Sequence, residues 1–175
     1  MADMDSVKIL VNPQISAGQL FSFYQRNNIC EEGYGKELAS KPLYHSSLII
    51  GAFEGDKLVG ITRAMFDGLS AVIMEFCLEL EYQGANLEYE NGSLVGKDDS
   101  GLGKRMGEVL INELFRMGAD FISCDIFHDY ESSFYRSLGF EPKSNHPVYY
   151  IDKRPYLGNE SYITRQRGKP AESAG

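Results

Sequence analysis

The chain has 175 residues, 43% of them apolar and 24% charged, and its 17 Lys and Arg stand against 25 Asp and Glu for a formal net charge of −8. That is an ordinary globular composition, long enough for one hydrophobic core and short of two, and an acidic chain without clustered bases argues against nucleic acid as a partner. The longest apolar runs, such as residues 48–52, fall far short of the ~20 residues that cross a bilayer, and the first eight residues carry no secretory signal. Cys30, Cys77 and Cys124 are odd in number and far apart, as expected for reduced core thiols of a cytoplasmic protein with no membrane partner.

Residues 7–11 alternate as a strand does, and residues 17–27 place Leu20, Phe21, Phe23 and Tyr24 at helical spacing. From residue 33 to 45 the pattern weakens while aromatics persist, which predicts a mobile helix or loop. Residues 47–53 and 58–66 flank Glu54-Gly55-Asp56-Lys57 and read as a hairpin, and Asp67-Gly68 turns the chain again. Residues 71–82 then separate by parity: Val72, Met74, Phe76, Leu78, Leu80 and Tyr82 on one face, Ile73, Glu75, Cys77, Glu79 and Glu81 on the other. This predicts a long strand. Residues 104–117 carry Met106, Val109, Leu110, Leu114 and Met117 on a helical stripe closed by Gly118. A strand over 121–127, a short helix over 132–138 before Gly139, and a strand over 148–151 complete a single α/β domain over 1–157. Its mixed, largely antiparallel central sheet is flanked by helices. Residues 158–175 are a polar tail.

Chemistry is concentrated between the long strand and the helix. Gly101-Leu102-Gly103-Lys104 opens the helix, and glycines at a strand-to-helix turn let backbone N–H groups approach a phosphate near the favourable end of the helix dipole. The segment Glu75-Phe76-Cys77-Leu78-Glu79-Leu80-Glu81-Tyr82-Gln83-Gly84 resembles the strand and loop that open the acyl-CoA site of the GNAT N-acetyltransferase superfamily. There a Gln or Arg is followed by two residues and GxG or GxA. Phe134-Tyr135-Arg136-Ser137-Leu138-Gly139-Phe140 resembles the second signature of that family. The order of elements matches from Val7 to about Tyr156. Two departures stand out. Residues 85–100 interrupt the phosphate loop, and Leu87-Glu88-Tyr89-Glu90, Asn91-Gly92 and Ser93-Leu94-Val95 within them predict a protruding hairpin. Aligning Asp98 with the family's Gln or Arg instead would set a carboxylate beside phosphates, an electrostatically poor choice. His128 stands where the family usually has an Asn that contacts CoA.

The resemblance implies a GNAT fold and transfer of an acetyl group from acetyl-CoA, a co-substrate, to a primary amine by direct attack in a ternary complex. The alternative is a non-catalytic acyl-CoA-binding or interaction module on the same fold. By the same resemblance a backbone N–H near Leu78 holds the thioester oxygen, and Tyr135 protonates the departing thiolate. The implied cofactor-binding set is Cys77, Leu78, Leu80, Gln83, Gly84, Gly101, Leu102, Gly103, Lys104 and His128. Glu75, between Ile73 and Cys77 on the mixed face, is the candidate base, with Glu79, Glu81 and Asp67 as alternatives because the base varies in position across the family and some members have none. Residues 75–100 hold seven carboxylates and one lysine, Lys97, a field that attracts a cationic acceptor. A small-molecule or peptide amine fits, and a homodimer formed through the insert stays open. His45, His128 and His146 show no ligand spacing, so no metal is expected.

Overall fold

The computed structural model describes residues 6–29, 35–84, 87, 94–126, 131–143 and 145. Cys30, His128, His146, the Asn91-Gly92 turn, the strand expected at 148–151 and the polar tail lie outside them.

A five-stranded sheet runs in the order β1 (Val7–Val11), β2 (Leu48–Glu54), β3 (Lys57–Phe66), β4 (Ser70–Leu78), β5 (Phe121–Cys124), antiparallel throughout except that β5 is parallel to β4. Gly55, with φ +58, supplies the left-handed residue that the tight β2–β3 turn needs, and the Asp67 carboxylate accepts from the N–H groups of Leu69 and Ser70 to form the β3–β4 turn.

Two helical layers cover the sheet. On one face α4 (Leu102–Met117) buries Leu102, Met106, Leu110 and Leu114, each at 0% exposure, against β2 and β3. Burying each such side chain contributes roughly 1.5–3 kcal/mol. A short α5 (Ser132–Ser137) adds Phe134 and Tyr135 to that core. On the other face α1 (Ala17–Arg26), started by a Ser16–Gln19 capping box, and α2 (Lys36–His45) bury Leu20, Phe23 and Ala39 over Ile61 and Cys77. The weak pattern near residue 40 thus resolves into a helix. Among the described residues no helix is long and apolar enough to cross a membrane.

The long strand differs from its expected form in two ways. It ends at Leu78, and the next residues turn as α3 (Leu80–Gln83). It also carries a bulge: Arg63 pairs with Glu75 while Ala64 pairs with Ile73, so Met74 has no partner. The extra residue reverses the parity. Ala71 and Ile73 before it, and Phe76 and Leu78 after it, all face α4, whereas Val72 and Met74 are 40% and 52% exposed. Cys77 thereby joins the α1–α2 cluster, and Glu75 turns the same way to meet Tyr24 of α1.

Candidate active site

β5 accompanies β4 only from Ser70↔Phe121 to Ile73↔Cys124, while β4 continues to Leu78 with β3 on its other side. Beyond Ile73 the backbone of β4 lies along the edge that β5 has left, a template for an amide-bearing ligand arm. α3 follows directly, and the N–H groups of Asp99 and Ser100 donate to the carbonyls of Gln83 (2.9 Å) and Tyr82 (3.3 Å), which ties the start of α4 to the end of β4. Strand edge and helix N-terminus therefore form one continuous path, apt for an extended ligand that is amide-rich at one end and phosphorylated at the other.

That path is already engaged by the chain itself. The Asp98 carboxylate accepts from the N–H of Gly103 through Oδ1 (2.9 Å) and from that of Lys104 through Oδ2 (2.7 Å), and Ser100 Oγ accepts from the N–H of Leu102 at 3.2 Å. The first three N–H donors of α4 are all satisfied from within, as helix starts require. On the strand edge, Leu94 forms an isolated antiparallel bridge with Cys77. Ile61 of β3 occupies the other side of Cys77, so Leu94 lies on the side vacated by β5. Val95 is 1% exposed, within the α4-side core. The described part of the insert thus packs on its own domain.

Tyr135 is placed between the diverging strands. Its ring meets Phe76 of β4, Phe134 and Phe140 edge-on, with centroids 6.5, 5.3 and 5.7 Å away. Burial raises its pKa well above that of a free phenol, and Cys124 of β5, Glu131 and Cys77 push it further the same way. The hydroxyl keeps its proton at neutral pH, as a proton donor must.

Glu75 is not a solitary carboxylate. Its Oε2 accepts from Arg63 Nε at 2.5 Å and from the Tyr24 hydroxyl at 2.8 Å, and its side chain is 9% exposed. Burial and this carboxylate raise the pKa of Tyr24 and of Cys77. The guanidinium of Arg63 and the phenol of Tyr24 fix the position of this carboxylate, so both residues belong to any account of Glu75. Of the carboxylates behind the negative field expected along residues 75–100, several described ones are paired within the chain. Glu79 pairs with Arg26 (2.9 Å) and Lys57 (2.7 Å), Lys57 also reaches Glu81 (3.0 Å), and Asp98 serves α4.

The other sequence candidates fall around this path in different roles. Gln83 is 1% exposed, and its amide is spent internally: Nε2 donates to the Leu78 carbonyl (2.7 Å) and Oε1 accepts from the Gly96 N–H (3.3 Å). Leu80 opens α3 and accepts from the Gly84 N–H. Gly84 lies so close to Asp99 that a Cβ would stand 2.6 Å from its Oδ2. Gly101 begins α4 at φ +73, Leu102 and Gly103 are buried, and Lys104 is exposed. His128 lies outside the described residues. Among the described residues no three His, Cys, Asp or Glu side chains form a metal-binding group. A groove of about 590 Å³ lined by Lys8, Leu10, Arg105, Glu108 and Asn112 lies at β1, the opposite edge of the sheet. The sequence reading missed Arg63, Tyr24 and Leu94. A lone arginine in the apolar run of β3 was the available signal for the first.

No family model and no curated protein matches the chain. Solved structures do. A GNAT-family acetyltransferase from Streptococcus pneumoniae is 21% identical, with 85% of this chain and 99% of that one covered at a TM-score of 0.61. Glucosamine-6-phosphate N-acetyltransferase from Arabidopsis thaliana is 17% identical over 83% and 99% of the two chains, with a TM-score of 0.60. An aminoglycoside acetyltransferase from an uncultured soil metagenomic sample, solved with sisomicin, is 15% identical over 85% and 98%, with a TM-score of 0.58. The fold of this protein is that of the GNAT acetyltransferases.

Proposed function

We propose that the protein is an N-acetyltransferase that moves an acetyl group from acetyl-CoA to a primary amine by direct attack in a ternary complex. The observation that carries this is the edge of β4 that β5 leaves beyond Ile73, continuous with the N-terminus of α4 and next to Phe76, against which the Tyr135 ring packs edge-on. The fold shared with acetyltransferases supports it. In the reaction the amine nitrogen attacks the thioester carbon, the C–N bond forms, the C–S bond breaks, and CoA leaves as its thiol. The β4 backbone near Leu78 steadies the carbonyl oxygen, Tyr135 supplies the proton to sulfur, and Glu75 receives the amine proton, directly or through water, from a position fixed by Arg63 and Tyr24. The acceptor is a small-molecule or peptide amine.

Tyr135→Phe keeps the ring packing and removes the proton donor, so turnover should fall about 10²-fold with unchanged thermal stability and CoA affinity. Normal turnover in that variant, with chemistry rate-limiting, refutes the assignment. The seat of Asp98 on the α4 N–H groups favours a second reading, a non-catalytic acyl-CoA-binding or interaction module. A thermal shift with CoA, set beside CoA release from acetyl-CoA on a panel of amines, separates the two: binding without turnover on any amine selects the module.

A further inference from the structure

The acyl-CoA path holds residues 94–98 of the chain in an arrangement that mirrors the ligand it is proposed to take. Leu94 pairs with the β4 backbone at Cys77, where a ligand amide would pair. The Asp98 carboxylate sits on the N–H groups of Gly103 and Lys104, where a phosphate would sit, and a carboxylate satisfies the same donors and the same helix dipole. The link between these two anchors is itself fastened, because the Gly96 N–H donates to Gln83 Oε1 at 3.3 Å and Val95 is buried.

We propose that residues 94–98 form an internal strap that occupies the acyl-CoA path and must be displaced before the ligand binds, an inference that rests on the acetyl-CoA reading above. A phosphate and the Asp98 carboxylate cannot share the Gly103 and Lys104 N–H groups, since two anions at hydrogen-bonding distance repel and each N–H has one hydrogen to give. Nor can Leu94 and a ligand amide pair with one edge of Cys77. The protein therefore binds CoA only from the fraction of molecules with the strap open, and its apparent affinity is lowered by that fraction. Gln83 fastens the strap rather than the ligand. This accounts for a buried glutamine in the phosphate loop whose amide faces the chain.

The test is titration of the full chain and of Asp98→Ala with CoA by calorimetry, with Leu94→Pro as the second anchor variant. Removing the carboxylate opens the strap by about the worth of a helix cap, so the Kd for CoA should fall about fivefold in Asp98→Ala, although the free variant is less stable to heat. Leu94→Pro should change affinity in the same direction. Unchanged or weaker binding by folded variants of a chain that binds CoA overturns the strap and leaves the acetyl-CoA reading standing. If the variants fail to fold, hydrogen exchange on the unmodified chain decides: saturating CoA should speed exchange at the Gly96 and Asp99 amides, and slower or unchanged exchange there overturns the proposal. CoA binding by no form of the protein refutes the acetyl-CoA reading and the strap with it.

Discussion

Arg63→Met tests whether the Arg63–Glu75–Tyr24 group is held by charge. Arg63 Nε lies 2.5 Å from Glu75 Oε2, and the two side chains are 19% and 9% exposed. Removing one partner of a fully buried ion pair costs about 3–5 kcal/mol, because the other charge stays in a poor solvent. Here the solvent access of Arg63 and the remaining bond from Tyr24 reduce the expected loss to about 2–4 kcal/mol. In a chain of this size each kcal/mol lowers Tm by about 2–4 °C, so the fall should be roughly 5–15 °C. Neutralising the stranded carboxylate should restore part of it: Arg63→Met with Glu75→Gln, which still accepts from Tyr24, should be more stable than Arg63→Met alone by at least ~1 kcal/mol. Urea unfolding followed by circular dichroism on the four proteins of the cycle measures this. Additive single-variant costs, or an Arg63→Met protein within ~0.5 kcal/mol of the parent, would refute an electrostatic origin.

Stability should decline on the alkaline side. Burial holds Tyr24, Tyr135 and Cys77 above their ordinary pKa values, Tyr82 up to about 12 and Cys124 up to about 11. An acid whose folded pKa is raised contributes fully below its unfolded pKa and loses that contribution as pH rises through the folded value, so Tm should be level near pH 7–8. Above about pH 9 stability should fall by about 1.4 kcal/mol per pH unit for each group titrating only when unfolded. Absorbance at 295 nm should show part of the 11 tyrosines ionising only with loss of the circular dichroism signal, and smooth ionisation of all of them in a folded protein contradicts this. At Gly107 a Cβ would stand 2.6 and 2.7 Å from the two Cδ atoms of Leu138. Gly107→Val should therefore cost about 1–3 kcal/mol by overpacking, and Leu138→Ala added to it should cost less than the two changes summed, as thermal unfolding will show.

Most of the fold was legible because its elements obey local rules: the Gly55 turn, the Asp67 turn and the apolar stripe of α4 each announce themselves within a few residues. The site was less so, for one physical reason above others. Strict register through the Asp67 turn pairs Arg63 with Met74, and only the bulge at Met74 brings Arg63 opposite Glu75. A bulge leaves no mark in periodicity short enough to read, yet it moves every later side chain to the other face. The parity assigned to Phe76 and Leu78 was therefore right for these residues and wrong for Val72. Asp98 posed the converse difficulty. Beside phosphates a carboxylate is repelled, but beside bare helix N–H groups it is the preferred acceptor, and the sequence does not say which of the two the loop holds.

The two glycines that open α4 look alike in sequence and are required for different reasons. Gly101 sits at φ +73, with no atom within 4 Å of where its Cβ would be. It is there for its backbone angle. Gly103 is helical, and its Cβ would meet Phe134 Cε2 at 3.1 Å and the Asp98 carboxyl group at 3.2 Å. It is there for space. The left-handed conformation costs an ordinary residue about 1–2 kcal/mol and asparagine less, whereas a helical glycine replaced by alanine gains up to ~1 kcal/mol of propensity to set against crowding. The order of stabilities should thus cross between the sites. At 101 asparagine should be tolerated better than alanine, and at 103 alanine better than asparagine, since the larger side chain cannot avoid Phe134 and Asp98. Thermal unfolding of the four variants, without any ligand, measures this. If alanine is the milder change at both sites, the backbone angle of Gly101 is not what fixes its identity. If asparagine is the milder change at both, the contact between Gly103, Phe134 and Asp98 is looser than the structure has it, and Asp98 is not held where it fills the start of α4.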